Sequence, residues 1–144
     1  MTGKLVVGRV GLGLVLAGVC GMAMASRADA AEKQVDFKKE IQPIFKASCV
    51  KCHSENNPRH MAAGGLRLDD KAAAMEGGKS GKDIVPGKAD ESLLYKVLKA
   101  PEKVGDEEIH QMPKAMRNQK TKPLSAKQIE LIKQWIDQGA KWPD

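Results

Sequence analysis

The amino-acid sequence predicts an all-α fold made of several short helices joined by long polar connections. Four segments carry apolar residues at helical spacing, and capping residues, glycine or proline punctuate the chain between them. No run of alternating β-branched residues is long enough for a sheet. Aromatic residues make up only 3% of the 144 residues, so four short helices alone would enclose a thin core. We therefore expect a non-protein group to fill the middle of the domain.

Residues 1–30 have the features of an export signal. They contain a basic start, an apolar run at positions 10–19 and an A-x-A site that ends at Ala30. We predict cleavage after Ala30, which leaves residues 31–144 as the mature domain and places it in the periplasm. A retained membrane anchor is the alternative, but the apolar run is short and glycine-rich for a span.

Composition excludes several classes of protein. A hydrophobic fraction of 42% and a charged fraction of 29% are typical of a globular chain, and three cysteines are too few for a dense disulfide scaffold. The formal net charge of +6 is compatible with an acidic partner, a membrane surface or nucleic acid. We expect no nucleic-acid binding, because neither a basic helix nor an aromatic platform is present. Membrane association is expected only if the N-terminal segment is retained.

The first two predicted helices each follow an aspartate. Residues 36–46 place apolar side chains at i, i+4, i+7 and i+8, which defines one buried face. Pro43 lies inside this segment and is expected to kink or restart the helix near Gln42. A shorter, alanine-rich helix is predicted from an Asp70 cap to the glycine pair that begins at Gly77.

The last two predicted helices lie in the second half of the chain. The third covers residues 90–98, with Pro101 beyond its end. The fourth opens with a capping box formed by Ser125 and Gln128 and ends at Gly139. Its expected buried face consists of four residues at helical spacing: Ile129, Ile132, Trp135 and Ile136.

A chemical motif follows the first predicted helix. Residues 49–53 read C-x-x-C-H, the attachment signature of a c-type haem. Two thiols three positions apart, Cys49 and Cys52, can each form a thioether with one of the two vinyl groups of a single porphyrin. The adjacent His53 can then send an imidazole nitrogen to the iron. Attachment outside the cytoplasm agrees with the predicted export signal.

Three other interpretations of this motif are weaker. A thioredoxin-like redox pair would need a βαβ setting, which the sequence does not show. A zinc site would need two further ligands, and only His60 offers itself nearby. A disulfide between Cys49 and Cys52 would close a very small loop and stabilise little. Haem attachment is therefore the favoured prediction.

The sixth position of the iron decides between electron transfer and ligand chemistry. Met112 is the preferred candidate, because it lies in a polar loop and Pro113 restricts the backbone that would present its sulfur. Met116 is an alternative a few residues on. His110 would instead give a bis-histidine haem of lower potential.

Basic residues suggest two further contacts. Arg67 is a candidate donor to a haem propionate, and a salt bridge to Asp69 or Asp70 is an equally weighted alternative. Basic side chains near the haem motif and the methionine loop are candidates for docking an acidic redox partner, with an ordinary solvated surface as the alternative. These side chains are Lys46, Lys51, Lys114, Arg117, Lys120 and Lys122.

Several motifs along the mature chain also carry a family resemblance. Besides C-x-x-C-H, they are the stretches 41–45, 64–69, 84–88, 91–95, 106–113 and 135–143. Over residues 36–143 the chain resembles the small monohaem class I cytochrome c domains of planctomycetes and related bacteria. The resemblance implies the class I cytochrome c fold around one haem, Cys49 and Cys52 as thioether residues, and His53 and Met112 as axial ligands.

The expected function is electron transfer rather than catalysis. One haem c with histidine and methionine ligands would make a periplasmic carrier whose iron binds no substrate. Redox donor and acceptor proteins are its expected partners. The alternatives are a haem sensor or small peroxidase-like enzyme with an exchangeable sixth ligand, and an electron-transfer subunit docked on a larger dehydrogenase.

Overall fold

The computed structural model describes residues 33–58, 63–114 and 122–144, all within one unit, Lys33–Asp144. Over these ranges, no helix has the length and apolar character needed to cross a membrane. The predicted export segment lies outside the described residues. The same holds for Cys20 of that segment and for four candidates named above: His60, Met116, Arg117 and Lys120.

The described part of the chain is mostly helical, with one small β-hairpin. Its α-helices are α1 (Gln42–Ser48), α2 (Lys71–Glu76), α3 (Leu93–Lys99) and α4 (Ala126–Asp137). A π-helical turn, Phe37–Ile41, precedes α1, and a 3-10 turn, Ala89–Glu91, precedes α3. The hairpin consists of strands β1 (Glu102–Val104) and β2 (Glu107–Ile109). The predominance of helix is confirmed, and the small hairpin is an element that the all-α prediction did not include.

The helix break predicted at Pro43 is present, and backbone hydrogen bonds define where the helix restarts. Asp36 caps the first turn by accepting the Lys39 N–H (3.1 Å). The Gln42 N–H then bonds to the Phe37 carbonyl, five residues back, and α1 restarts with Pro43 in its first turn. Proline is tolerated there because its missing N–H would have no helical partner in a first turn.

The capping signals of α2 and α4 are confirmed. The Asp70 carboxylate accepts the Ala73 N–H (2.9 Å) at the start of α2. In the α4 box the Ser125 hydroxyl accepts the Gln128 N–H (3.3 Å), and the Gln128 side chain accepts the Ser125 N–H (2.9 Å). These reciprocal bonds satisfy amide groups that a helix start leaves unpaired.

The third helix begins later than the sequence pattern predicts. Ser92 is fully buried and extended, and it separates the 3-10 turn from α3. Its hydroxyl accepts the Val85 N–H (2.9 Å) and donates to the Lys88 carbonyl (2.9 Å). This local bonding offers the backbone an alternative to the helix, which explains the break.

The hairpin after α3 carries no alternating apolar pattern. Val104 pairs with Glu107 across a two-residue turn that contains Gly105 at φ +61°. Glycine at the first central position is typical of a type II′ hairpin turn. The strands are short and rich in charged residues, so hydrophobic periodicity gave no sign of them.

Four of the five aromatic side chains form one cluster in the core. Phe37 stacks on Trp142 with ring centroids 4.1 Å apart, and Phe45 meets Trp135 edge-on at 5.7 Å. The Trp135 indole N–H donates to the Lys141 carbonyl (2.9 Å). The cluster joins the π-helical turn, α1, α4 and the C-terminal segment. A small number of aromatic side chains therefore forms a continuous part of the core, because these side chains are concentrated at one place.

Candidate functional site

The C-x-x-C-H segment forms a compact turn directly after α1. The Cys49 N–H continues the helical bonding to the Phe45 carbonyl (2.8 Å). The N–H groups of Cys52 and His53 both donate to the Cys49 carbonyl (2.9 Å each). The turn thus holds the two cysteines and the histidine on one short, hydrogen-bonded piece of backbone.

Both cysteines of the motif are free thiols. Cys49 is buried and Cys52 is half-buried. Burial raises the pKa of the Cys49 thiol to about 12, and the neighbouring Cys52 acts in the same direction. Cys49 is therefore a protonated, neutral thiol at neutral pH.

His53 is held by one ring nitrogen. Its Nδ1 lies 3.2 Å from the Leu66 carbonyl oxygen. A carbonyl only accepts, so Nδ1 carries the proton and donates, which leaves the Nε2 lone pair available. Burial lowers the pKa of His53, against weaker effects of the Leu66 bond and of Asp83, so the neutral imidazole is favoured. Metal-ligating histidines in proteins usually show this arrangement.

The loop that supplies the Leu66 carbonyl lies against the motif. The Leu68 N–H donates to the His53 carbonyl (2.8 Å), so the two segments are joined at two points. Leu66 and Leu68 are buried in the core. Gly64 and Gly65 have φ values of +80° and +74°, which glycine adopts without steric cost. The glycine pair allows the sharp turn that brings this loop to His53.

Arg67 of the same loop pairs with carboxylates. Its Nε lies 3.2 Å from Asp69 Oδ1, and its Nη2 lies 3.2 Å from Glu55 Oε2. The salt bridge to Asp69 is one of the two arrangements expected from the sequence. Asp70, the other expected partner, caps α2. The contact of Arg67 with a propionate stays a prediction.

Met112 lies beside the end of α3. Its backbone N–H donates to the Val97 carbonyl (2.7 Å). The side-chain amide of the preceding Gln111 donates to the Leu98 and Lys99 carbonyls (3.2 and 3.0 Å). Met112 is half-buried. It borders a cavity of about 150 Å³ whose other lining residues are Leu98, Gln111, Pro113, Pro123, Leu124 and Ile129.

His53 and both motif cysteines are absent from the lining of that cavity. They are equally absent from a larger open groove of about 650 Å³ lined by Phe37, Met75, Trp142 and their neighbours. The structure therefore brings the cysteines and His53 together on one turn, and neither of these two cavities is lined by both Met112 and the motif. Ligation by Met112 stays a prediction. His110, its histidine alternative, is exposed.

The chemistry of the C-x-x-C-H segment fits a haem. It offers two cysteine thiols in C-x-x-C spacing that are not joined in a disulfide, and one neutral imidazole with Nε2 available. Within the described ranges, no group of three or more His, Cys, Asp and Glu side chains is placed to hold a metal ion directly.

Sequence patterns missed the backbone partner of His53. A main-chain carbonyl such as that of Leu66 has no side-chain signature, although the adjacent Gly64-Gly65 pair marks a close approach. No motif in the sequence pointed to Asp83. This residue is buried near the loop, where its carboxylate accepts the Gly78 N–H (2.7 Å).

The helical fold and the C-x-x-C-H site are compatible with a c-type cytochrome domain, and comparison with known proteins agrees. Residues 49–115 match the family described as Planctomycete cytochrome C. This match confirms the resemblance to planctomycete cytochrome c domains that the sequence predicts.

The chain is also similar to hydrazine synthase subunit alpha of Kuenenia stuttgartiensis. The two are 32% identical over 128 residues, which cover 77% of this chain. The chain spans only 16% of the length of that relative. No solved structure matches the chain.

Proposed function

We propose that this chain is a periplasmic electron-transfer protein that carries one haem c. Cys49 and Cys52 would hold the haem through their thiols, and His53 Nε2 would bind its iron. The observation that carries the proposal is the hydrogen bond from His53 Nδ1 to the Leu66 carbonyl, which orients Nε2 as a ligand beside two free thiols. The match of residues 49–115 to a cytochrome c family supports it.

The bound haem supplies one-electron chemistry at its iron. The residues of the chain hold and orient it. Each of the two thiols would hold the haem through one sulfur–carbon bond to a vinyl group, and the thiol hydrogen would pass to the neighbouring vinyl carbon. The neutral His53 binds without first losing a proton, and its Leu66 bond fixes the ring orientation.

Met112 is the residue that would supply the second protein ligand of the iron. Its backbone is anchored to α3, and its half-buried side chain lies among aliphatic residues. A thioether in an apolar setting favours the ferrous state relative to bis-histidine ligation. The exposed position of His110 makes it the weaker candidate. A firmly bound methionine would keep substrates away from the iron, which suits a carrier rather than an enzyme.

A module within a larger enzyme is a second candidate function. The similarity to hydrazine synthase subunit alpha favours it, because a 32% identical segment occurs there inside a much longer chain. In that case the haem domain would pass electrons to or from a catalytic partner. Exposed lysines at positions 46, 51, 114 and 122 are suited to an acidic partner surface in either setting.

The absorption spectrum of the oxidised holoprotein tests the proposed function. We expect a low-spin, six-coordinate spectrum with the weak far-red sulfur-to-iron band, and no change when carbon monoxide is added to the reduced protein. A high-spin ferric spectrum with ready carbon monoxide or cyanide binding would contradict a carrier and support a sensor or peroxidase-like enzyme. Co-purification of a tightly bound acidic partner would favour the enzyme module over a free carrier.

A further inference from the structure

We propose that Asp83 is a positioning residue that holds the Leu66 carbonyl against His53. It acts through the glycine-rich loop formed by residues 77–81. The inference rests on the proposed function, in which His53 is the haem ligand, and it assigns a task to a buried carboxyl group to which no motif points.

Asp83 is anchored from both its backbone and its side chain. Only 6% of the residue is exposed. Its carbonyl accepts the Leu94 N–H (2.9 Å) at the start of α3. Its Oδ2 accepts the Gly78 N–H (2.7 Å), which also lies 3.1 Å from the Gly81 carbonyl. A buried carboxyl group is costly without such a bond, so the contact with Gly78 determines where the side chain lies.

The glycine-rich loop lies directly on the segment that carries Leu66. The Lys79 N–H donates to the Gly64 carbonyl (2.7 Å). A Cβ atom added at Gly78 would lie 2.4 Å from the Gly64 oxygen and 2.9 Å from the Leu66 nitrogen. Backbone therefore meets backbone here with no room for a side chain, and the position of Gly78 sets that of Leu66.

These contacts form a continuous connection from α3 to the histidine ring. It runs from Asp83 to Gly78, from the glycine-rich loop to Gly64 and Leu66, and from the Leu66 carbonyl to His53 Nδ1. The Asp83 carboxyl also lies close enough to His53 to favour its protonated form electrostatically. Loss of the Gly78 bond should therefore loosen the Leu66 carbonyl and weaken its bond to the ring.

Hydrogen exchange of the His53 Nδ1–H, followed by NMR, tests this role. We expect Asp83→Ala to accelerate exchange about tenfold in the reduced holoprotein, the size of effect that loss of one buried hydrogen bond allows. Asp83→Asn keeps an oxygen that can accept the Gly78 N–H and should restore near-wild-type exchange. Asp70→Ala is the matched control: it removes another carboxylate-to-amide bond, at an exposed helix cap, and should leave the ring exchange unchanged.

Two outcomes would overturn the role of Asp83. One is unchanged exchange in Asp83→Ala, and the other is equal acceleration in the alanine and asparagine variants, which would indicate loss of charge rather than of position. The same exchange measurement on the full chain without haem separates this inference from the proposed function. Absence of covalent haem in the wild-type protein would overturn the proposed function, while the exchange rates would still decide the role of Asp83.

Discussion

Replacement of both Cys49 and Cys52 by serine is expected to abolish covalent haem attachment. The hydroxyl group does not form the thioether that each cysteine thiol forms with a vinyl group, so no haem should stay with the chain after denaturation. Each single replacement should leave one thioether and retain haem in reduced yield. Haem staining after denaturing electrophoresis, combined with the mass of the chain, measures the effect.

Cys20 provides the matched control for this experiment. It is the one cysteine of the sequence outside the motif, and it lies in the predicted export segment. Cys20→Ser should therefore leave haem attachment to the mature domain unchanged. Covalent haem in the double variant at Cys49 and Cys52 would contradict the assignment of the motif. Loss of haem in Cys20→Ser with normal export would contradict the predicted boundary at Ala30.

Replacement of Met112 by alanine is expected to open the sixth position of the iron. The far-red sulfur-to-iron band should disappear from the oxidised spectrum, and the reduced protein should bind carbon monoxide to saturation. The reduction potential should fall, because the methionine sulfur stabilises the ferrous state. Absorption spectroscopy and a potentiometric titration measure these changes.

Met75→Ala is the control for Met112→Ala. Met75 is a half-buried methionine on α2 that packs against the same core, so its loss should lower stability without changing the iron spectrum. Survival of the far-red band in Met112→Ala would exclude Met112 as the ligand and point to another methionine, with Met116 the next candidate.

Capping residues and prolines in the sequence predicted where helices begin, because their side chains act on backbone only a few residues away. The Ser125 capping box and the restart of α1 at Pro43 are of this kind. The delayed start of α3 depends on Ser92 bonding back to Val85, seven residues earlier, which helical periodicity does not report. The β1–β2 hairpin escaped prediction because its strands are short and polar.

The candidate site was predictable to the extent that it depends on covalent chemistry. The C-x-x-C-H spacing identifies Cys49, Cys52 and His53, because two thioethers and one axial bond require those residue types in that order. The partner of His53 is a main-chain carbonyl, and its support through Asp83 depends on the meeting of distant segments. No residue pattern encodes either contact.

The expectation that a haem fills the space left by few aromatics stays a prediction, and the described residues already contain an aromatic core. Phe37, Phe45, Trp135 and Trp142 pack together and provide a core of their own next to α4. The C-x-x-C-H turn begins where α1 leaves this cluster, since Cys49 bonds to Phe45. The aromatic cluster therefore lies directly next to the turn that carries the C-x-x-C-H motif.

The intact mass of the exported protein tests the central claim most directly. The proposed function predicts a chain that begins at Ala31 and carries the added mass of one haem, with fragments that place it on Cys49 and Cys52. A chain without added haem, with both thiols free or joined in a disulfide, would contradict the claim.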